Sequence, residues 1–139
     1  MRCAELMQPE PAACTPEQTL FQALQLMSSH DVGSIPVVDV NKRPVGIVTD
    51  RDAALYLAEH DRRPSEVSCS EAMSSPLITC DVQDDLDDAI DKMRDYQLRR
   101  IVVLEHGRVA GIIAQADLAR EKPGDARKVV EDVSRPKAA

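Results

Sequence analysis

The sequence predicts an α+β protein built from one unit of roughly sixty residues written twice. Three observations lead there. The chain superposes on itself at a near-constant offset, both copies carry the same order of helix and strand signals, and the apolar residues are almost all aliphatic. At 139 residues the chain suits a compact body that buries a core without metals or disulfides as staples. Hydrophobic residues make up 43% of it, yet Phe21, Tyr56 and Tyr96 are its aromatics. The core must therefore come from Val, Ile, Leu, Ala and Met, a composition that suits buried strands with helices laid over them.

A shift of 66 positions places Cys3 on Cys69, Glu5 on Glu71, Met7 on Met73, Cys14 on Cys80, Leu20 on Leu86, Ala23 on Ala89, Met27 on Met93, Ile35 on Ile101 and Val37 on Val103. After a one-residue deletion the shift is 65, and Arg43 meets Arg108, Gly46 meets Gly111, Ile47 meets Ile112, Asp52 meets Asp117 and Ala54 meets Ala119. The deletion falls in a turn, where a change of length costs least.

Within copy one, Thr15-Pro16-Glu17-Gln18 has the capping-box form, with Pro at the first helical position. Leu20, Ala23, Leu24 and Met27 then recur with helical spacing. Copy two repeats the pattern with Asp81 as cap and Leu86, Ala89, Ile90 and Met93 as the stripe. Ile35-Pro36-Val37-Val38 and Val45-Gly46-Ile47-Val48, joined through Asn41-Lys42, predict a hairpin. So do the 101–104 and 109–113 runs, joined through His106-Gly107. Their continuous apolar runs imply burial on both faces.

A second helix should start near Asp50 in copy one and near Gln115 in copy two. Each unit thus reads as short strand, helix, hairpin, helix, with its sheet open on one side. Sixty residues with an uncovered sheet bury too little to stand alone, so the copies must pack on each other. The expected organisation is repeat one over 1–60, a connection over 61–68, repeat two over 69–121 and a tail over 122–139. In the tail, Ala126, Val129, Val130 and Val133 share one helical face.

The net charge of −7 and the lack of a basic stripe with interleaved aromatics argue against nucleic acid as a partner. No apolar run approaches a bilayer span, and the first residues lack a signal-peptide core, so a cytoplasmic protein with no membrane partner is expected. Cys3, Cys14, Cys69 and Cys80 form no Cys-x-x-Cys pair, and His30, His60 and His106 are scattered. Free thiols acting as small buried hydrophobes are expected, with a disulfide or metal shared between the repeats as the alternative. The acidic run 81–91 lies at a predicted helix start, where negative charge is favoured, and lacks the central Gly of a calcium loop. It reads as a solvated face.

The segment Gly46-Ile47-Val48-Thr49-Asp50-Arg51-Asp52, repeated as Gly111-Ile112-Ile113-Ala114-Gln115-Ala116-Asp117, resembles the CBS domain, as do the Leu6-Met7 and Ala72-Met73 starts. The likeness covers residues 3–120, and the chain is similar to stand-alone paired-CBS proteins of the hypoxic-response type, a stress-response class. The resemblance implies two repeats related by a pseudo-twofold axis, packed sheet to sheet, with clefts that often take AMP, ATP or S-adenosylmethionine. It places Thr49 near the 5′ side of such a ligand and Asp52 on the ribose hydroxyls. Copy two keeps Asp117 but has Ala114 where Thr is expected.

The residues themselves make this chemistry intelligible. A carboxylate in the first turn of a helix can accept both hydroxyls of a vicinal diol, and the Thr hydroxyl beside the helix N-terminus suits a phosphate oxygen. The plainer reading is that Thr49 caps the helix and Asp52 complements its dipole. By motif position the base would be sandwiched by Cys14, Ile35 and Pro36, or by Cys80, Ile101 and Val102. Arg99-Arg100, where copy one has Gly33-Ser34, are expected to reach the phosphate of the ligand whose ribose Asp52 holds. The alternative for them is pairing with Asp95 or Glu105.

No nucleophile with a base, metal cage or phosphate-cradling Gly-rich loop is visible, so no enzyme is predicted and no cofactor is required. The leading expectation is a regulatory module sensing an adenosine-type small molecule. The alternative is a ligand-independent scaffold docking an unidentified protein partner. A homodimer is expected in both cases, through second-helix surface that includes Ala53, Leu55, Leu57 and Ala58.

Overall fold

In the computed structural model, residues 1–75, 77–121 and 123–134 are described. They form seven α-helices: α1 (Cys3–Leu6), α2 (Leu20–His30), α3 (Asp50–His60), α4 (Cys69–Ala72), α5 (Leu86–Asp95), α6 (Gln115–Glu121) and α7 (Pro123–Ser134). The strands are β1 (Gln8–Pro9), β2 (Ser34–Val38), β3 (Pro44–Thr49), β4 (Thr79–Asp81), β5 (Arg100–Glu105) and β6 (Arg108–Ala114). The mixed helix and strand content and the doubled element order follow the α+β expectation. None of the described helices is long and apolar enough to cross a membrane.

The helix starts differ from expectation. Thr15 to Gln18 closes an isolated turn, with the Thr15 N–H donating to Gln18 Oε1 at 2.9 Å, and α2 begins four residues later. Thr19 is its cap, in a capping box with Gln22. Both Thr-x-x-Gln sequences fit the cap pattern, and the one adjoining the apolar stripe wins. Asp81 likewise ends β4, while Asp85 caps α5. The hairpins turn as expected: Asp39 Oδ1 accepts the N–H groups of Asn41 and Arg43 at 2.8 and 3.0 Å, and His106 and Gly107 both take positive φ.

Packing divides the chain into two compact units that do not follow the two sequence copies. The first comprises residues 1–10, 78–106 and those from 110 onward; the second comprises 11–77 and 107–109. Each copy's leading segment therefore belongs to the unit built on the other copy's helices and hairpin. The connecting residues 61–68 are part of the second unit: Pro64–Glu66 forms a 3-10 turn and Val67 is fully buried in its core.

In the first unit the sheet order is β1-β6-β5-β4, with β1 antiparallel to β6 and β4 parallel to β5. Leu86, Ala89, Ile90 and Met93 of α5 pack on Ile101, Val103 and Ile113, with Leu118 of α6 and Val129 of α7 closing the core. In the tail, Val133 also packs inward, but Val130 is exposed, so the four-residue apolar face is narrower than expected. Ala126 lies outside the described side chains.

In the second unit β2 pairs antiparallel with β3, and single bridges extend the ladder: Cys14 to Val37 in parallel, Ser74 to Ile47 antiparallel. The strand order is thus the same in both units. Leu20, Ala23 and Met27 of α2 and Ala53 of α3 cover Ile35, Val37 and Val48.

Candidate functional site

At the end of β3 the chain turns directly into α3. Thr49 is extended and caps the helix, its Oγ1 accepting the Asp52 N–H at 3.0 Å. Asp50 N–H donates to the Gly33 carbonyl at 3.0 Å, tying the helix start to the start of β2. Asp52 is half-buried in the first helical turn, and its Oδ2 accepts the Ser74 hydroxyl at 3.1 Å. Ser74 is itself fixed by two backbone bonds with Ile47, at 2.9 and 3.1 Å. Thr49 and Asp52 are therefore brought together with Ser74, which sequence reasoning missed. The signal was the 66-residue offset, under which Ser74 falls on Gln8.

The equivalent corner of the first unit uses the same positions differently. Gln8 Nε2 donates to Asp117 Oδ1 at 3.1 Å, as Ser74 does to Asp52. Ala114 has no hydroxyl to cap α6, and the capping bond is reversed: its N–H donates to Asp117 Oδ2 at 2.8 Å. Arg120 completes the set, its Nη2 lying 2.7 Å from Asp117 Oδ1. Asp117 is 4% exposed and serves three donors, whereas Asp52 keeps most of its acceptor capacity open. Gln115 N–H donates to the Arg99 carbonyl at 3.1 Å, matching the Asp50 to Gly33 bond.

The apolar candidates separate by strand face. Cys14 and Ile35 belong to the helix-side core of the second unit, and Ile101, Val103 and Cys80 to that of the first. A base cannot stack on those side chains without displacing core. Pro36 and Val102, also buried, alternate with Ile35 and Ile101 and so lie on the opposite sheet face; Val102 is outside the helix-side cluster. Arg99 is exposed and Arg100 partly so, and neither forms an ion pair with a carboxylate among the described residues, Asp95 and Glu105 included. No group of three or more His, Cys, Asp and Glu side chains among the described residues is placed to hold a metal ion.

All four cysteines are buried and unbridged. Cys80 Sγ lies 3.7 Å from Cys3 Sγ, and Cys14 and Cys69 are neighbours in the core of the second unit. Donation within each pair, reinforced by burial, holds the Cys80 and Cys69 thiols well above the usual thiol range.

The strand-to-helix corner, with an acidic residue three positions past each cap, occurs once in each copy. The CBS domain family matches residues 3–59 and again 69–124. The chain belongs to the CBS domain family, as a tandem pair. Among sequence relatives, the CBS domain-containing protein YhcV of Bacillus subtilis is 36% identical over 115 residues, 83% of this chain and 81% of YhcV. Hypoxic response protein 1 of Mycobacterium tuberculosis is 29% identical over 106 residues, 76% of this chain and 74% of that protein.

Solved CBS pairs share the fold. A hypoxic response protein I structure with two coordinated zinc ions superposes with a TM-score of 0.80 at 26% identity, covering 88% of this chain and all of that one (100%). The CBS pair of MJ0100, in complex with 5′-methylthioadenosine and S-adenosyl-L-methionine, gives 0.79 at 24% identity, covering 89% and 97%.

Proposed function

We propose that this CBS pair is a non-catalytic regulatory module that takes an adenosine-containing ligand of the AMP, ATP or S-adenosylmethionine class, with its ribose on Asp52. The observation that carries this reading is the contrast between the two acidic residues. Asp52 carries one side-chain hydrogen bond, from an exposed hydroxyl that a ribose diol can replace, while Asp117 is closed by three donors. Each diol bond to a carboxylate is charge-assisted and worth about 1.5–3 kcal/mol.

Thr49 retains its hydroxyl proton for a 5′ oxygen while its lone pair caps α3. Pro36, on the sheet face away from the helix-side core, is the residue set to line the base. Asp117, Ile101 and Val102 form the corresponding set of the other corner, which this reading treats as the impaired site. That the MJ0100 pair holds adenosine compounds supports the ligand class.

Calorimetric titration with AMP, ATP and S-adenosylmethionine tests the reading. One binding event per chain, abolished in Asp52→Ala, is expected. A ligand at 100 times its Kd should also stabilise the fold by about 2.7 kcal/mol. Binding unaffected by Asp52→Ala overturns the site.

Silence with all three ligands favours a second reading, a scaffold that works without ligand. Its supporting observation is the exposed apolar surface of the second unit: Phe21 on α2 and Leu55 on α3 are 48% and 45% exposed. Under either reading we propose a homodimer joined through the α3 face bearing Leu55 and Ala58. Ala53 and Leu57 are committed to the core of their own unit. Light scattering should report twice the chain mass, falling to one in Leu55→Asp.

A further inference from the structure

We propose that the two buried cysteine pairs, Cys3 with Cys80 and Cys14 with Cys69, are reversible disulfide sites, each able to join one sequence copy to the other inside a single unit. The repeat offset places Cys3 on Cys69 and Cys14 on Cys80. Because the leading segments are exchanged between units, like never meets like, and neither does a cysteine meet the other cysteine of its own copy. Cys3 opens α1 and faces Cys80 on β4; Cys69 opens α4 and faces Cys14, bridged to β2.

The surroundings are duplicated as well. Cys3 Sγ lies 3.8 Å from the Asp85 carbonyl and Cys69 Sγ 3.7 Å from the Thr19 carbonyl, and these two residues cap α5 and α2 respectively. Cys3 and Cys69 thus occupy equivalent places in the two units, each beside the capping residue of the following helix.

The sulfurs of Cys3 and Cys80 are 3.7 Å apart, and a disulfide needs about 2.05 Å. Rotation about χ1 and a small shift of α1 or α4, helices of four residues each, can close the remaining gap. Both cores are complete with the thiols reduced, the sulfurs serving as small apolar groups, so a bridge is a response of the folded protein and no condition of folding. All four residues are at most 4% exposed, so reaction follows local opening of the short helices.

The oxidant class is a hydroperoxide. One thiolate attacks the peroxide, the O–O bond breaks, a sulfenic acid forms, and water or an alcohol leaves with the thiol proton. The partner thiol then attacks that sulfur, the S–S bond forms, the S–O bond breaks and water leaves. Two electrons pass from each cysteine pair to the peroxide, and a dithiol reductant returns them with two protons.

The test is mapping of the unmutated chain after exposure of the folded protein to hydrogen peroxide and blocking of residual thiols. Cleavage after Glu5, Glu17, Glu66, Glu71 and Glu105 leaves the four cysteines on four separate peptides. Expected are linked Cys3/Cys80 and Cys14/Cys69 peptides, a mass loss of about 2 Da per bridge, and reversal by dithiothreitol. Since each bridge closes a long loop, the oxidised form should melt several degrees higher. Cys3→Ser should lose the first link alone and Cys69→Ser the second alone. Four free thiols after treatment, Cys3/Cys14 or Cys69/Cys80 links, bridges only between two copies of the chain, or sulfinic acids in place of bridges would overturn the proposal. The mapping does not depend on either variant folding, and none of it depends on ligand binding.

Discussion

Asp117 Oδ2 accepts the N–H of Ala114 at 2.8 Å, so at α6 the carboxylate caps the helix, where at α3 the hydroxyl of Thr49 caps it by accepting the N–H of Asp52. One motif has been wired in opposite senses. In the second unit the cap is Thr49 and the carboxylate is left over; in the first the carboxylate is the cap. The two acidic residues should therefore respond differently to removal. Asp117→Ala leaves the Ala114 N–H without its acceptor and empties a buried position, and should cost about 1–3 kcal/mol in urea unfolding, whereas Gln8 and Arg120 are exposed and turn to water. Asp52→Ala, losing one bond to an exposed hydroxyl, should stay within about 1 kcal/mol of the parent. Thr49→Ala should cost about 1 kcal/mol through the cap alone.

Gly46 and Gly111 are covered by the methionines of the two leading segments. A Cβ on Gly111 would sit 2.5 Å from Met7 Sδ and 2.8 Å from the Gln8 carbonyl oxygen; on Gly46 it would sit 2.5 Å from Met73 Sδ and 3.0 Å from the Ser74 carbonyl oxygen. A thioether can swing aside, but a backbone carbonyl held in a ladder cannot. Gly111→Ala should destabilise by about 1–3 kcal/mol, and Gly46→Ala by less. Equal urea midpoints for the two variants would contradict this ranking.

Val129 and Val130 are neighbours on α7 with opposite fates, the first fully buried and the second 47% exposed. Val129→Ala removes two methyl groups from the core and should cost roughly 2 kcal/mol. Val130→Ala should change stability by no more than about 0.5 kcal/mol. Denaturant titrations of both variants decide whether α7 docks through the face seen here.

Glu71 is held down at about 2, first by the Arg62 guanidinium 2.8 Å away and then by the Ser68 N–H that it accepts as part of the α4 capping box. Its folded value lies below its ordinary one, so its contribution to stability is present above about pH 4.5 and lost as pH falls towards 2. The pair is solvent-exposed, so the contribution is small. A carboxyl NMR titration should place the Glu71 midpoint near 2, and Glu71→Gln should flatten the stability profile across that window. A midpoint in the ordinary glutamate range would show the ion pair to be absent in solution.

The duplication, the α+β class, the α5 stripe, both hairpins and their turns, and the starts of α3 and α6 are legible in the residues alone. These are local matters: apolar spacing and turn chemistry act within a few residues and leave their mark at fixed offsets. The caps of α2 and α5 lie four residues beyond the places the sequence suggests, because two adjacent cap patterns compete and only packing of the stripe chooses between them.

How the doubled motifs are used depends on which segments meet in the folded chain. The faces that Ile35 and Pro36 take follow from the helices that cover their strand. That Ser74 from the second copy meets Asp52 from the first, that Gln8 joins the local donors on Asp117, and that Cys3 meets Cys80 in place of Cys14 all follow from exchange of the leading segments between units. That exchange leaves no local signal, since a segment with the same sequence pattern pairs equally well in principle with either copy's sheet. Burial of both cores decides the matter, and burial is a property of the whole chain.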